Sequence, residues 1–249
     1  MTYCLAIDTS GNWCSVALHE IGTETCFQVG EEIKRGHAEH ILGFIDQVFM
    51  QAGFDDPAAG YSHLSRLAVV TGPGSFTGLR VGLSVARGIA LAQSIPCVGV
   101  TSLLSVVVTA SRQCDLKSGD RATIHAAVSG RGGQIFYQPF HIVKTDHGAD
   151  VTEQAAAQNI FPSAVDAFNR LQGDGTPDKV YIAGSGCAEI RDDYPSLPDQ
   201  YFIQQTAPSM AQVAIHANSL DPKAHPPEPH YLRDADAVKA KAVFPLKPA

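Results

Sequence analysis

The sequence predicts an α/β fold of two stacked units of the βββαβαβα type, the second a degenerate copy of the first. Three observations carry this. Residues Leu67 to Gly99 read as a short apolar strand, a glycine-rich turn, a long helix and a second buried strand. The chain opens with three strand-like runs joined by short polar or glycine-bearing turns, the pattern of an antiparallel meander. A second hairpin pattern, Ala122 to Val128 and Gln134 to Ile142, repeats that opening across Ser129-Gly130-Arg131-Gly132-Gly133.

The elements follow in order. Tyr3 to Ile7 is a continuous apolar run. Trp13 to Leu18 alternates, and Thr25 to Val29 is a weaker third strand. His37 to Ala52 is helical, with Ile41, Leu42, Ile45, Val48, Phe49 and Ala52 on one 3.6-period face. Asp55 to Ser65 is a polar loop. Leu67 to Val70 is a strand, and Gly72, Pro73 and Gly74 break it. Ser75 or Thr77 then caps a helix from Phe76 to Gln93. Cys97 to Val100 is a strand and Thr101 to Ala110 a helix, and Ser111 to Asp120 links the units. In the second unit Val180 to Ala183 and Tyr201 to Ile203 are strands and Met210 to Leu220 is helical. The proline-rich tail from Asp221 is irregular. The domains so drawn are 1–110 and 121–249, the latter a smaller actin-like unit together with the irregular tail.

The helix from Phe76 has an unusual surface. Arg80, Ser84 and Arg87 make one narrow polar stripe, and almost everything else is apolar or small. An amphipathic helix on a sheet needs only about 100° of apolar arc. This one has more, so it is expected to be buried on two sides. The second side faces either its own domain or a partner protein, and periodicity leaves both open.

Composition narrows the function classes. The chain has 249 residues, a net charge of −7 and 45% hydrophobic residues. That acidic balance argues against a chain built alone to wrap nucleic acid, which needs clustered Lys and Arg. No apolar run reaches the roughly 20 residues of a membrane span, and no signal peptide is read at the N-terminus. The six cysteines are scattered, without a CxxC pair. Reduced, buried thiols and a cytoplasmic location fit this pattern.

The candidate chemistry starts at Asp8, Thr9 and Ser10. A turn with a carboxylate, two hydroxyls and backbone N–H groups suits a phosphate or a metal–phosphate. Equally, it suits a turn in which Asp8 bonds its own backbone. His37 and His40 lack the spacing or third ligand of a zinc site and are expected to face solvent or cap the helix. The run from Gly72 is not a P-loop, because no GxxxxGK spacing is present. Nor is GPGSF a GxSxG elbow, so a hydrolase built on Ser75 ranks last.

Two such units, each opening with a hairpin and a turn of this kind, suggest an actin-like ATPase (ASKHA, RNase H-like) fold. More specifically, the chain resembles the TsaB (YeaZ) family of the bacterial machinery for tRNA threonylcarbamoyladenosine. The resemblance rests on LAIDTS at Leu5 to Ser10, GHAEH at Gly36 to His40 and GPGSFTGLRVGLSVARGIA at Gly72 to Ala90. PCVGVTSL at Pro96 to Leu103 and PHYLR at Pro229 to Arg233 add to it.

The resemblance implies a non-catalytic scaffold subunit with no cofactor, no metal and no catalytic residue of its own. In the related TsaD subunit, two metal-binding histidines occupy the positions that align with Ser102 and Val106 here. The family's Asp-Ala-Arg appears as Ser129-Gly130-Arg131, so Asp8 lacks its expected carboxylate partner. Asp8, Thr9, Ser10 and Arg131 then outline a degenerate nucleotide-like cleft, beside a motif turn of Gly72, Pro73, Gly74, Ser75 and Thr77. The implied partners are a TsaD-like catalytic subunit and a TsaE-like ATPase, with tRNA met through the complex. Self-association in isolation stays open. The expected partner interface is Ile41, Ile45 and Phe49 of one helix with Phe76, Leu79, Gly82, Leu83 and Ala86 of the other. The alternative function is a stand-alone actin-fold ATPase or small-molecule kinase organised by Asp8.

Overall fold

In the computed structural model, residues 1–146, 148–165 and 179–232 are described. Strands β1 (Tyr3–Asp8), β2 (Trp13–Glu20) and β3 (Cys26–Glu32) form an antiparallel meander. Helix α1 (His37–Gln51) and the single turn α2 (Pro57–Gly60) lead to β4 (Leu64–Gly72), which pairs parallel to β1. Helix α3 (Phe76–Gln93) then crosses over to β5 (Cys97–Thr101), parallel to β4. The sheet order is β3-β2-β1-β4-β5. Helix α4 (Ser102–Ala110) follows at once, capped by Thr101 through the Leu104 N–H.

The second half repeats this plan. Strands β6 (Arg121–Ser129), β7 (Ile135–Thr145) and β8 (Gly148–Glu153) form a meander, and β9 (Gln158–Ile160) pairs with β7. Strand β10 (Lys179–Gly184) runs parallel to β6, and β11 (Phe202–Gln204) parallel to β10. Helix α5 (Cys187–Asp193) joins those two, and α6 (Met210–Ala217) follows. Read from β8, the order is β8-β7-β6-β10-β11, the pattern of the first sheet. At the level of strand order the second sheet is therefore a full copy. The fold is actin-like.

Apolar burial explains how the layers meet. Cys4, Ala6 and Ala17 of the first sheet share one core with α4, α6 and Ala122, Ile124 and Ala126 of the second. Helices α4 and α6 thus lie between the sheets. Although α6 follows β11, it packs on β1 and β2 of the first sheet. On the outer face of the first sheet, α1 and α3 lie together over Leu5, Ile7, Val16, Leu67 and Val69. The described part of the tail beyond α6, to residue 232, is held against the first sheet. Gly99 N–H donates to His225 O at 2.9 Å and His230 N–H to Thr71 O at 2.7 Å. It therefore covers the otherwise open edge of β5. Arg233 of the tail motif and everything beyond lie outside the described residues.

This packing corrects the expected interface. Ile41, Ile45, Phe49, Leu79, Gly82, Leu83 and Ala86 are buried in the chain's own core beneath α1 and α3, and Phe76 is half-buried. A helix lying on a sheet turns its richest apolar arc inward, and both helices follow that rule. The outward faces carry other residues: Leu42 (54% exposed), Met50 (62%) and Leu91 (83%).

Candidate functional site

Asp8 ends β1 and is only 4% exposed. Its Oδ1 accepts the Ser10 N–H at 2.7 Å, so the carboxylate closes a turn on its own backbone. Burial pushes the Asp8 carboxyl above its ordinary value of 3.8, while hydrogen bonds from Ser10 and the nearby His37 pull the other way. His37 is itself buried, with no hydrogen-bond partner on Nε2 among the described residues. This overturns its expected solvent-facing or capping role, whereas His40 is exposed.

The glycine-rich turn packs against this loop. Ser75 N–H donates to Ser10 O at 2.6 Å, and Gly78 N–H to Ser75 Oγ at 3.2 Å. Those first donors of α3 are therefore already used inside the chain. A Cβ on Gly74 would lie 2.2 Å from Ser10 O, and one on Gly78 would lie 2.0 Å from Thr9 O. Both glycines are needed for close approach of two backbones. Pro73 is buried, and Thr77 is exposed on the first turn of α3.

A cavity of about 70 Å³ lies between the two sheets beside this loop. Asp8, Ser10, Asn12, Trp13, Ser102, Ser105 and Val106 line one side, and Val128, Ser185, Gln205 and Pro208 the other. Ser102 Oγ donates to Ser10 Oγ at 3.3 Å across its floor. Ligand pockets for drug-sized molecules typically measure roughly 300–1,000 Å³. The cavity in this conformation is therefore well below the size of a drug-sized ligand pocket. Arg131 is exposed on the β6–β7 turn and is not among the lining residues.

Ser185 and Gln205 are among the lining residues that the sequence reading did not single out. Ser185 lies in the Gly184-Ser185-Gly186 turn after β10, a visible signal, and its Oγ accepts the Ser129 N–H at 3.0 Å. Gln205 carries no local signal. Its Nε2 donates to Val106 O at 3.3 Å, while its buried Oε1 has no partner among the described residues. Among the described residues no three His, Cys, Asp or Glu side chains come together as a metal site. All six cysteines are free, and burial pushes the Cys4 and Cys14 thiols up to about 12.

Fold and site define an actin-like protein of two sheets with a small cavity between them. Known proteins bear the same stamp. A family model described as TsaD: tRNA N6-adenosine threonylcarbamoyltransferase matches residues 29–203. A Haemophilus influenzae protein named tRNA threonylcarbamoyladenosine biosynthesis protein TsaB is 31% identical over 186 residues, 74% of this chain and 72% of that relative. Its Escherichia coli K12 namesake is 33% identical over 136 residues, 55% of this chain and 54% of the relative. The solved structure of YeaZ from Pseudomonas aeruginosa covers 93% of this chain and 100% of its own at a TM-score of 0.66 and 22% identity, a likeness of fold. The chain belongs to the family that the TsaD model describes and, within it, to the TsaB (YeaZ) family.

Proposed function

We propose that the protein is a non-catalytic subunit of the machinery that makes threonylcarbamoyladenosine in tRNA. In this reading it docks a TsaD-like subunit that transfers the threonylcarbamoyl group to the adenosine next to the anticodon. One observation carries the docking: the outward faces of α1 and α3 hold Leu42, Met50 and Leu91 together with exposed Gly43 and Gly88. A Cβ on either glycine would meet nothing within 4 Å. Glycine inside a helix costs about 1 kcal/mol relative to alanine. The chain's own packing gives no reason for these two, whereas close approach of a partner's helices does.

The cleft supports the same reading. Ser102 and Val106, which align with metal-binding histidines of TsaD, offer a hydroxyl and an isopropyl group instead. A TsaE-like ATPase joins the assembly, tRNA is reached through the complex, and the site of action is the cytoplasm. Without TsaD the same helical faces pair two copies of this chain.

The test is sedimentation of the purified chain alone and mixed with a TsaD-like subunit, with Leu42→Glu and Leu91→Glu beside the wild type. Both variants should remain folded and lose association. Wild-type association by both would overturn the docking surface.

A further inference from the structure

We infer that Thr9 is a positioning residue for the outward face of α3, acting through a hydroxyl set astride one step of that helix. The inference rests on the docking surface proposed above. Thr9 Oγ1 donates to Gly78 O at 2.7 Å and accepts the Gly82 N–H at 3.0 Å. In an α-helix the N–H of residue i pairs with the carbonyl of residue i−4, so Gly82 and Gly78 are partners of one step. A side chain from the β1–β2 loop thus bridges both groups of that step, while α3 stays one uninterrupted helix.

The local sequence is built around this contact. A Cβ on Gly82 would stand 2.5 Å from Thr9 Oγ1, and one on Gly78 would stand 2.0 Å from Thr9 O. The rest of the inward face is Leu79, Leu83 and Ala86 on an apolar sheet. Close packing of that face limits rotation about the helix axis, and directional hydrogen bonds limit it further. Polar tethers therefore refine the rotation. One holds the N-terminus, where Ser75 N–H reaches Ser10 O, and another lies beyond the middle, where Arg87 reaches Pro227 O. Thr9 supplies the tether between them.

The consequence falls on the opposite side of the helix. With side chains an α-helix has a radius of about 5–6 Å, so a rotation of about 15° moves its outer surface by about 1.4 Å. Close-packed interfaces do not absorb a shift of that size without loss. Thr9 thereby ties the cleft loop to the placement of Gly88 and Leu91.

The experiment compares wild type, Thr9→Val and Thr9→Ser at a temperature where all are folded, reading the dissociation constant with a TsaD-like subunit by sedimentation. Thr9→Val keeps the side-chain shape but removes the hydroxyl, and should weaken association by about two- to thirtyfold. Thr9→Ser restores the hydroxyl and should associate as wild type. Wild-type affinity in Thr9→Val, with only a lower melting temperature, would reduce Thr9 to a structural residue and overturn the inference. Thr9→Ala, which leaves the space open, is the second variant; if neither folds, the inference is likewise overturned. Leu91→Glu separates the two levels. If it associates normally, the docking surface itself is wrong; if it does not associate while Thr9→Val does, only the role of Thr9 fails.

Discussion

Arg66 and Ala217 join the two halves of the chain. The Arg66 guanidinium on β4 donates to the carbonyl of Ala217 at 2.8 Å, and also to that of Leu220 at 2.8 Å. Ala217 is the last residue of α6, where helical carbonyls have no intrahelical partner. A cation there also meets the negative end of the helix dipole. The apolar period of α6 predicts a helix running to Leu220, and it stops short where Arg66 takes the final carbonyls.

Removing that guanidinium should therefore loosen the helix that lies between the sheets. Arg66→Met keeps most of the aliphatic stem and should destabilise the protein by about 1.5–3 kcal/mol, the range for hydrogen bonds to a charged group. Urea unfolding of both proteins measures this. An unchanged midpoint would mean that the carbonyls are satisfied without Arg66.

Two glycines of α3 should respond to alanine with opposite signs. Gly78→Ala forces a methyl against Thr9 O and should destabilise by about 1–3 kcal/mol. Gly88→Ala meets open space and should stabilise the isolated chain by about 0.5–1 kcal/mol. The same Gly88→Ala should weaken association with the TsaD-like subunit. Thermal melts give the stabilities and sedimentation gives the association.

The Asp8 carboxyl should make stability fall as pH rises. Its folded-state pKa is raised above 3.8, chiefly by burial, so the folded chain binds the proton more tightly than the unfolded chain. Its contribution is complete below 3.8 and is lost as pH climbs through the raised folded value. Asp8→Asn still accepts the Ser10 N–H but carries no charge. It should melt higher than wild type at neutral pH, with a flatter profile over the interval just above 3.8. A melting temperature below wild type at pH 7 would show that the ionised Asp8 is favourably held.

ATP turnover tests the cleft directly. The cavity between Asp8 and Gln205 measures about 70 Å³, well below the usual size of a ligand pocket. The purified chain should hydrolyse ATP no faster than a buffer blank, with or without magnesium. Turnover above background that disappears in Asp8→Asn would restore the alternative of an actin-fold ATPase.

The strands and long helices were legible because their periods are clear. The helix read from Phe76 to Gln93 is α3. Asp8, Ser10 and the glycine turn were also found by sequence, but their meaning was not. The sequence excludes a P-loop at Gly72 to Gly78 without saying what its glycines do, and only the contact of Thr9 and Ser10 with α3 shows Gly74 and Gly78 to be packing glycines. The interface residues failed for a related reason. Leu83 and Leu91 are the same residue type on one helix, and nothing local says which meets the sheet. Gln205 was illegible because a lone polar residue after a three-residue strand carries no pattern.

The two sides of α3 give the last prediction. Leu83 is 4% exposed and lies among the core residues of the first sheet, with Ile7 and Val69 in the same cluster. Val85 is half-buried at the flank of that cluster and adjoins the exposed Ser84. Leu83→Glu places a carboxylate where no partner waits. A buried, unpaired charge costs several kcal/mol or stays protonated, against a total stability of roughly 5–15 kcal/mol. Leu83→Glu should therefore be unfolded, or melt far below wild type at neutral pH and recover partly in acid. Val85→Glu can swing its carboxylate past the flank into water, as long side chains with charged ends do. It should stay folded, with a loss of about 1 kcal/mol, and should dock poorly because the charge rises beside the outward face. Circular dichroism melts and sedimentation, alone and with the TsaD-like subunit, separate the cases. If both variants unfold, α3 is enclosed by its own domain and the docking surface lies elsewhere. If Leu83→Glu melts like wild type, the inward face of α3 is misassigned.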